Sequence, residues 1–395
     1  MYSIRLKKGK EKAVNQMHPW VFSGAIDQIK GAPENGDIVM VTDCKNDFLA
    51  YGFFNDKSRV AVRLLEWNLE TAISEDWWRQ KIGRAVKNRE GLYNADTNTY
   101  RLIFSEADFI PGLIVDRYAD FLSVQILTSG IERIKHIIID ELQKLIDPKG
   151  IFDRSDASAR AHEGMDTSSG GILAGLEPPE FVSVKENGIF YHVNIADGQK
   201  SGFYCDQRDN RRLVAEHATG RKVLDCFSYS GGFSLNAFRA GAKEVVSVDS
   251  STLALDTLRR NIEINSFNDV PHRLIQSDVN KQLRVFRDEN EKFDLIILDP
   301  PKYAPSRSAL TKASRAYKDL NRLAMLLLNE GGLLATFSCS GAVDISTFKQ
   351  ILAWAALDAG KDVQFIEQYV QPSDHPVRSS FPEGEYLKGL LCRVS

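Results

Sequence analysis

From about residue 210 onward, short apolar runs alternate with longer helical segments, and this alternation restricts the fold more than any other feature. The runs cover 223–226, 245–249, 273–276, 293–298 and 333–338. Their Val, Ile and Leu content reads as strands buried on both faces. Five such β-α units predict an α/β, Rossmann-like domain with a doubly wound parallel sheet. Two late runs, 363–370 and 386–394, have no long helix between them and predict an antiparallel pair at the sheet's end. Open α/β sheets bind ligands at the carboxyl ends of their strands. The residues that close each run are therefore the first candidates for a site.

The first run closes on Asp225-Cys226 and continues as Phe227-Ser228-Tyr229-Ser230-Gly231-Gly232. Gly231 and Gly232 allow close backbone approach to a ligand. This is not the G-x-G-x-x-G of a dinucleotide site, which disfavours an NAD-type reductase. Asp225 would repel a diphosphate and instead suits an ammonium or sulfonium group. Asp249, followed by Ser250, suits a pair of ribose hydroxyls. Asp278, followed by Val279, can meet an exocyclic adenine amine. Each acid taken alone serves as well as a helix N-cap. Three acids at successive strand ends favour one cofactor site.

The fourth and fifth runs end in Asp299-Pro300-Pro301-Lys302-Tyr303 and Phe337-Ser338-Cys339-Ser340-Gly341. An acid and a thiol thus reach the same rim. Carbon 5 of a pyrimidine is a poor nucleophile, and a thiolate added at carbon 6 turns the ring into an enamine that can take a methyl group. Asp299 can hydrogen-bond the ring at N3. An Asp-Pro-Pro loop can also hold an exocyclic amine for methylation, but the aromatic such loops carry is displaced here by one position, to Tyr303. Cys44, Cys205, Cys226 and Cys392 read as small buried hydrophobes. The five cysteines are scattered without a C-x-x-C pair. That argues against a zinc site or a disulfide framework and fits a reducing cytoplasm.

The rest of the chain divides into 1–72, 73–195 and 196–395. The first segment reads as small and all-β, with strands at 38–41, 48–51 and 60–64. The second reads as α+β, with helices at 75–93 and 131–146 and strands at 100–104, 113–116, 121–127 and 150–153. A hairpin of 181–185 and 189–195 turns on Asn187-Gly188. The polar stretch 155–175 reads as an exposed loop. No run of about 18 apolar residues is present, so no membrane span is expected. The net charge of −3 does not announce a nucleic-acid binder. Lys7, Lys8, Lys10 and Lys12 nevertheless cluster near the N-terminus and can meet phosphate.

These spacings resemble the class I S-adenosylmethionine-dependent methyltransferases. Over nearly its whole length the chain resembles the ribosomal large-subunit cytosine-carbon-5 methyltransferase family with an N-terminal PUA domain. The resemblance rests on the segments starting His18-Pro19-Trp20, Pro111-Gly112-Leu113, Asp153-Arg154-Ser155, Gly202-Phe203-Tyr204, Phe227-Ser228-Tyr229, Asp299-Pro300-Pro301, Phe337-Ser338-Cys339, Asp374-His375-Pro376 and Tyr386-Leu387-Lys388. It implies S-adenosylmethionine as cofactor, held by Arg208, Asp225, Phe227, Ser230, Gly231, Asp249, Ser250, Asp278 and Val279, with Arg208 on the methionine carboxylate. It implies Cys339 as nucleophile and Asp299 as the group that orients and polarises the base. It makes the first segment a small β-barrel PUA module that binds structured RNA, with Lys7, Lys8 and Lys10 on phosphates. His18, Trp20 and Phe22 are expected in the core or as caps. Lys302 and Tyr303 would hold a flipped nucleotide, and His375 and Arg378 would line the same mouth. The implied partner is large-subunit ribosomal RNA, with no metal and with a homodimer left open. Where related RNA enzymes carry a second cysteine, this chain has Pro301 and Lys302. The group that removes the carbon-5 proton is therefore undefined.

Overall fold

The computed structural model describes residues 2–168, 170–198, 201–304 and 307–395, with no side chain at 307. The chain forms two compact units. The first comprises Met1–Lys185, Val193–Cys205 and Ser373–Gly384. The second comprises Glu186–His192, Asp206–Pro372 and Glu385–Ser395.

The first unit holds two sheets. Six strands run in the order Trp20–Phe22, Val60–Glu66, Phe48–Phe54, Ile38–Thr42, Ser3–Leu6, Ile26–Lys30. All neighbours are antiparallel except Ser3–Leu6 beside Ile38–Thr42. Alternation along these strands buries Ile4, Leu6, Val39, Val41, Val62 and Leu64 in one core. The second sheet runs Gly171–Gly175, Gly150–Asp153, Phe121–Ile126, Leu113–Tyr118, Thr99–Phe104. Helices Glu75–Lys87 and Lys135–Ile146 bury Trp78, Ile82, Ile138 and Leu142 in a core shared with Leu102, Val115 and Val124.

Three expectations need correction. The helix predicted at 75–93 ends at Lys87 and gives way to a short 3-10 turn, Glu90–Leu92. The helix predicted at 131–146 is two helices, Ser129–Arg133 and Lys135–Ile146, because Ile134 leaves helical geometry at ψ 12. The stretch 155–175, expected as a loop, carries helix Ala157–His162 and strand Gly171–Gly175, with position 169 outside the described residues. Asp156 starts that helix by accepting the Ala159 N–H. The hairpin turn is as read: Asn187 and Gly188 both take positive φ.

The second unit is the predicted α/β domain. Its strands are β1 (Lys222–Cys226), β2 (Glu244–Asp249), β3 (His272–Gln276), β4 (Phe293–Leu298), β5 (Leu328–Ser338), β6 (Val363–Tyr369) and β7 (Lys388–Val394). Its main helices are α1 (Arg208–Ala215), α2 (Gly232–Arg239), α3 (Thr252–Ile264), α4 (Val279–Asp288), α5 (Leu310–Leu327) and α6 (Ile345–Ala359). The sheet order is β3-β2-β1-β4-β5-β7-β6. β1 to β5 are parallel, and β7 is antiparallel to both β5 and β6. Leu224, Val246, Val248, Ile296, Leu298 and Leu334 meet Leu283, Phe286, Leu320, Phe348 and Leu352 in one core. Each such fully buried side chain contributes roughly 1.5–3 kcal/mol. That packing fixes the rim where β1 to β5 end.

Candidate active site

The turn from β1 into α2 is wound unusually tightly. Phe227, Tyr229 and Gly231 all have left-handed φ, at 63°, 48° and 88°. For the two non-glycine residues this costs about 1–3 kcal/mol each. The turn is held by hydrogen bonds to β2: the Phe227 and Ser228 N–H groups donate to Val248 O, and Tyr229 N–H donates to Asp249 Oδ2 at 2.9 Å. A Cβ on Gly231 would come within 2.1 Å of Leu258, and one on Gly232 within 2.4 Å of Arg211 Nε. Both glycines are thus required by packing as well as by the turn. Ser230 is buried, and its carbonyl accepts from Asn261 Nδ2 at 3.0 Å.

Asp225 lies buried at the end of β1. Its Oδ2 accepts from Ser234 N at 3.0 Å and Ser234 Oγ at 2.6 Å. Its Oδ1 has no hydrogen-bond partner among the described residues. Burial pushes the carboxyl up to about 7, and the neighbouring carboxylates of Asp299 and Asp249 push in the same direction. An open carboxylate oxygen among three acids calls for a cation. The α-ammonium or sulfonium of S-adenosylmethionine supplies one, so the residues present fit that cofactor.

The other rim acids are already partly used. Asp249 accepts from Tyr229 N and Ser251 N, one bond per oxygen, which leaves lone pairs for a ribose diol. Ser250 beside it is exposed. Asp278 is the N-cap of α4, its Oδ1 accepting from Lys281 N at 2.9 Å, and it is exposed. Val279 buries its side chain in the core, so only its backbone can serve a ligand; first-turn N–H groups of a helix lack an internal partner. Arg208 opens α1, almost wholly buried, and its Nε donates to Asp209 at 3.1 Å.

The two candidates for the reaction, Asp299 and Cys339, follow neighbouring strands of the sheet. Pro300 and Pro301 end β4 because proline cannot donate to a ladder. Leu298 pairs with Thr336, so the turn after β4 faces the end of β5. Cys339 Sγ lies 3.9 Å from Pro300 O, with the sulfur half-buried beside the Asp299-Pro300-Pro301 turn. A hydroxyl network holds the two loops together. Ser338 Oγ donates to Tyr317 OH at 3.0 Å, Tyr317 OH meets Ser340 Oγ at 3.2 Å, and Ala304 N donates to Ser340 Oγ at 3.1 Å. The Tyr303 ring packs on Tyr317 at 4.9 Å, and burial pushes its hydroxyl up to about 12. Lys302 is exposed.

Two residues of this cluster escaped the sequence reading. Tyr317 sits on α5 and had no local signal beyond an apolar helix face. Lys388 opens β7 opposite Ser338, and its Nζ donates to Ser340 O at 3.1 Å. A lysine separated only by Gly389 from the apolar run Leu390-Leu391-Cys392 was the available signal.

The remaining candidates belong to the first unit. Lys7, Lys8 and Lys10 are exposed, with Lys7 Nζ donating to Gly24 O at 3.0 Å. His375 is buried against the Phe104 ring at 5.2 Å and faces Asp374. Arg378 is also buried: it donates to Met17 O at 2.9 Å and lies 3.9 Å over the Phe109 ring. Burial lowers its guanidinium to about 10. His18 meets Glu383, and Trp20 Nε1 donates to Glu106 at 2.8 Å, as caps would. Phe22, expected in the core or as a cap, is 51% exposed, and Cys44, expected as a small buried hydrophobe, is exposed as well, on the turn after Ile38–Thr42.

The sheet order, the buried acid after β1 and the acids after β2 and β3 define the class. A family model described as S-adenosylmethionine-dependent methyltransferase matches residues 159–393, and a PUA-like domain model matches residues 4–67. The chain is 45% identical over 393 residues to "Ribosomal RNA large subunit methyltransferase I" of Aliivibrio fischeri, covering 99% of each chain. It is 43% identical over 395 residues to the protein of that name in Escherichia coli, covering 99% of this chain and 100% of that one. The chain belongs to the ribosomal RNA large subunit methyltransferase I family. Two solved structures share the fold over the full length of both chains at 22% identity. One is described as a SAM-dependent methyltransferase from Streptococcus mutans (TM-score 0.86), the other as a methyltransferase complexed with SAH (TM-score 0.87).

Proposed function

We infer that this chain transfers a methyl group from S-adenosylmethionine to carbon 5 of a cytosine in large-subunit ribosomal RNA, through a transient bond from Cys339 to carbon 6. The observation that carries this reading is the thiol of Cys339 beside the Asp299-Pro300-Pro301 turn, 3.9 Å from Pro300 O. Relatives aligned end to end carry the matching name.

The cofactor supplies an electrophilic methyl group on a sulfonium. Asp225 would pair with its cationic end, Asp249 with the ribose diol, and Asp278 with Val279 would meet the adenine. The target base must leave its stack to reach this rim. The Cys339 thiolate bonds to carbon 6 and pushes the electron pair of the 5,6 double bond toward carbon 5, which becomes nucleophilic. Asp299 in its protonated form would donate its O–H to N3, and that proton stabilises the negative charge the addition delivers there. Once carbon 5 has used that pair to bond the methyl group, loss of its proton returns the C–H electron pair to the 5,6 double bond and expels the thiolate. The exposed Lys302 sits beside this turn and suits a phosphate of the flipped nucleotide. In the first unit, the exposed Lys7, Lys8 and Lys10 suit further phosphates. Ribosomal RNA as substrate places the work in the cytoplasm. No helix among the described residues is long and apolar enough to cross a membrane.

RNA carrying 5-fluorocytidine tests the covalent step. Fluorine cannot leave as the proton does, so the adduct should persist through denaturation. Cys339→Ala should form none and should lose methyl transfer by on the order of 10³-fold or more. A methyl group found on the exocyclic nitrogen of the product would overturn the carbon-5 reading.

A further inference from the structure

We propose that Lys388 is the positioning residue for Cys339: a buried ammonium whose charge favours the thiolate and whose hydrogen bond fixes the loop that carries it. This rests on the reading of Cys339 as nucleophile. The antiparallel pairing of β7 with β5 sets Lys388 opposite Ser338, one residue before the thiol. Lys388 is 4% exposed, whereas lysines are almost never fully buried unless paired. Its Nζ donates to Ser340 O at 3.1 Å, one residue after the thiol. Lys388 is thus tied through its strand pairing to the residue before Cys339 and through its ammonium to the residue after it.

The charges around it single out the sulfur. Burial dominates and holds the Lys388 ammonium below its ordinary range, while Glu385, Cys339 and Asp344 oppose that and Lys302 adds to it. Glu385 and Asp344 are exposed, so water and salt screen them. Asp344 also accepts the Thr347 N–H as the cap of α6. Cys339 alone among the three is half-buried. A thiolate there is the anion that a buried ammonium stabilises most, and a lysine beside a cysteine lowers the thiol's pKa. The thiol proton passes to water. Lys388 stays protonated and exchanges nothing with the base.

The pH profile of Cys339 alkylation by iodoacetamide, followed by peptide mass in the full chain, tests this. The exposed Cys44 is first removed as Cys44→Ser. Lys388→Gln keeps a donor for Ser340 O and removes the charge, while Lys388→Arg keeps the charge. The midpoint should rise by about one pH unit or more in Lys388→Gln, with alkylation at pH 7 falling about tenfold, and should stay near the native value in Lys388→Arg. An unmoved midpoint in folded Lys388→Gln overturns the proposal. Should that variant not fold, the native profile decides: a midpoint at or above the ordinary thiol value of about 8.5 overturns it. Because alkylation needs neither RNA nor cofactor, the outcomes separate. Methyl transfer retained by Cys339→Ala sinks the covalent reading and leaves the thiol titration standing.

Discussion

Asp225 shows how a single side chain prepares a site for a cation. Its raised carboxyl means that, without ligand, the folded chain keeps a proton from the ordinary carboxylate range up to about 7, while the unfolded chain has already released it. This group's contribution to stability therefore falls as pH rises from about 4 to about 7. A cationic ligand prefers the ionised form, so the sign for binding is opposite. Affinity for S-adenosylmethionine should rise with pH and level off above about 7, with proton release on binding below that. Calorimetry at pH 6 in two buffers of different ionisation heat should show the released proton. Asp225→Asn should bind at least tenfold more weakly and without pH dependence; an unchanged pH profile would count against the assignment. At this scale the rim acids could be picked out because each closes or follows a run that reads as a strand. Lys388 was not, because its partner loop lies 48 positions away and only the sheet register joins them. Phe22 misled because an aromatic in a short strand usually packs, and this one points to solvent.

The β1–α2 turn is the element on which the proposed cofactor site depends. Its left-handed Phe227 and Tyr229 are held by N–H bonds to β2, and Gly231 closes the turn by donating to Ser228 O. Gly231→Ala should force its Cβ onto Leu258, a fully buried core residue, at a cost of ~1–3 kcal/mol. Thermal unfolding should shift down by a few degrees, and cofactor affinity should fall with it. An unshifted melt would show that the turn can relax. β1, β2 and β4 could be read from sequence because strands covered on both faces are largely apolar, whereas β3, at the sheet's edge with no buried residue, was legible only from its place in the alternation. The strand Gly171–Gly175 could not. Its glycines hide any alternation, and its pairing with Gly150–Asp153 is antiparallel and irregular, between Ile151 and Phe152. The break at Ile134 was equally silent, since isoleucine there continues the apolar stripe on either side.

For the whole molecule, net charge is a poor guide and charge placement a better one. The chain carries −3 overall, yet Lys7, Lys8 and Lys10 all stand exposed near the N-terminus. Replacing the three with alanine should flatten the salt dependence of RNA binding by about 2–3 in log–log slope and leave cofactor affinity unchanged. A slope identical to the native one would remove these lysines from the RNA surface. The path of the chain was the least legible property. Residues 373–384 interrupt the last two strands of the second unit and pack in the first, where Asp374 accepts from Arg101 N at 2.8 Å and Arg89 Nη2 at 3.1 Å. Those partners are 273 and 285 positions distant, beyond any local pattern. The sheet order adds an obligation during synthesis. β7 lies between β5 and β6 yet is made after both. A polypeptide leaving the ribosome must therefore hold two half-finished edges apart until the strand that zips them arrives, bringing with it the lysine beside the thiol. Premature pairing of β5 with β6 would leave a well-hydrogen-bonded sheet that lacks that ammonium.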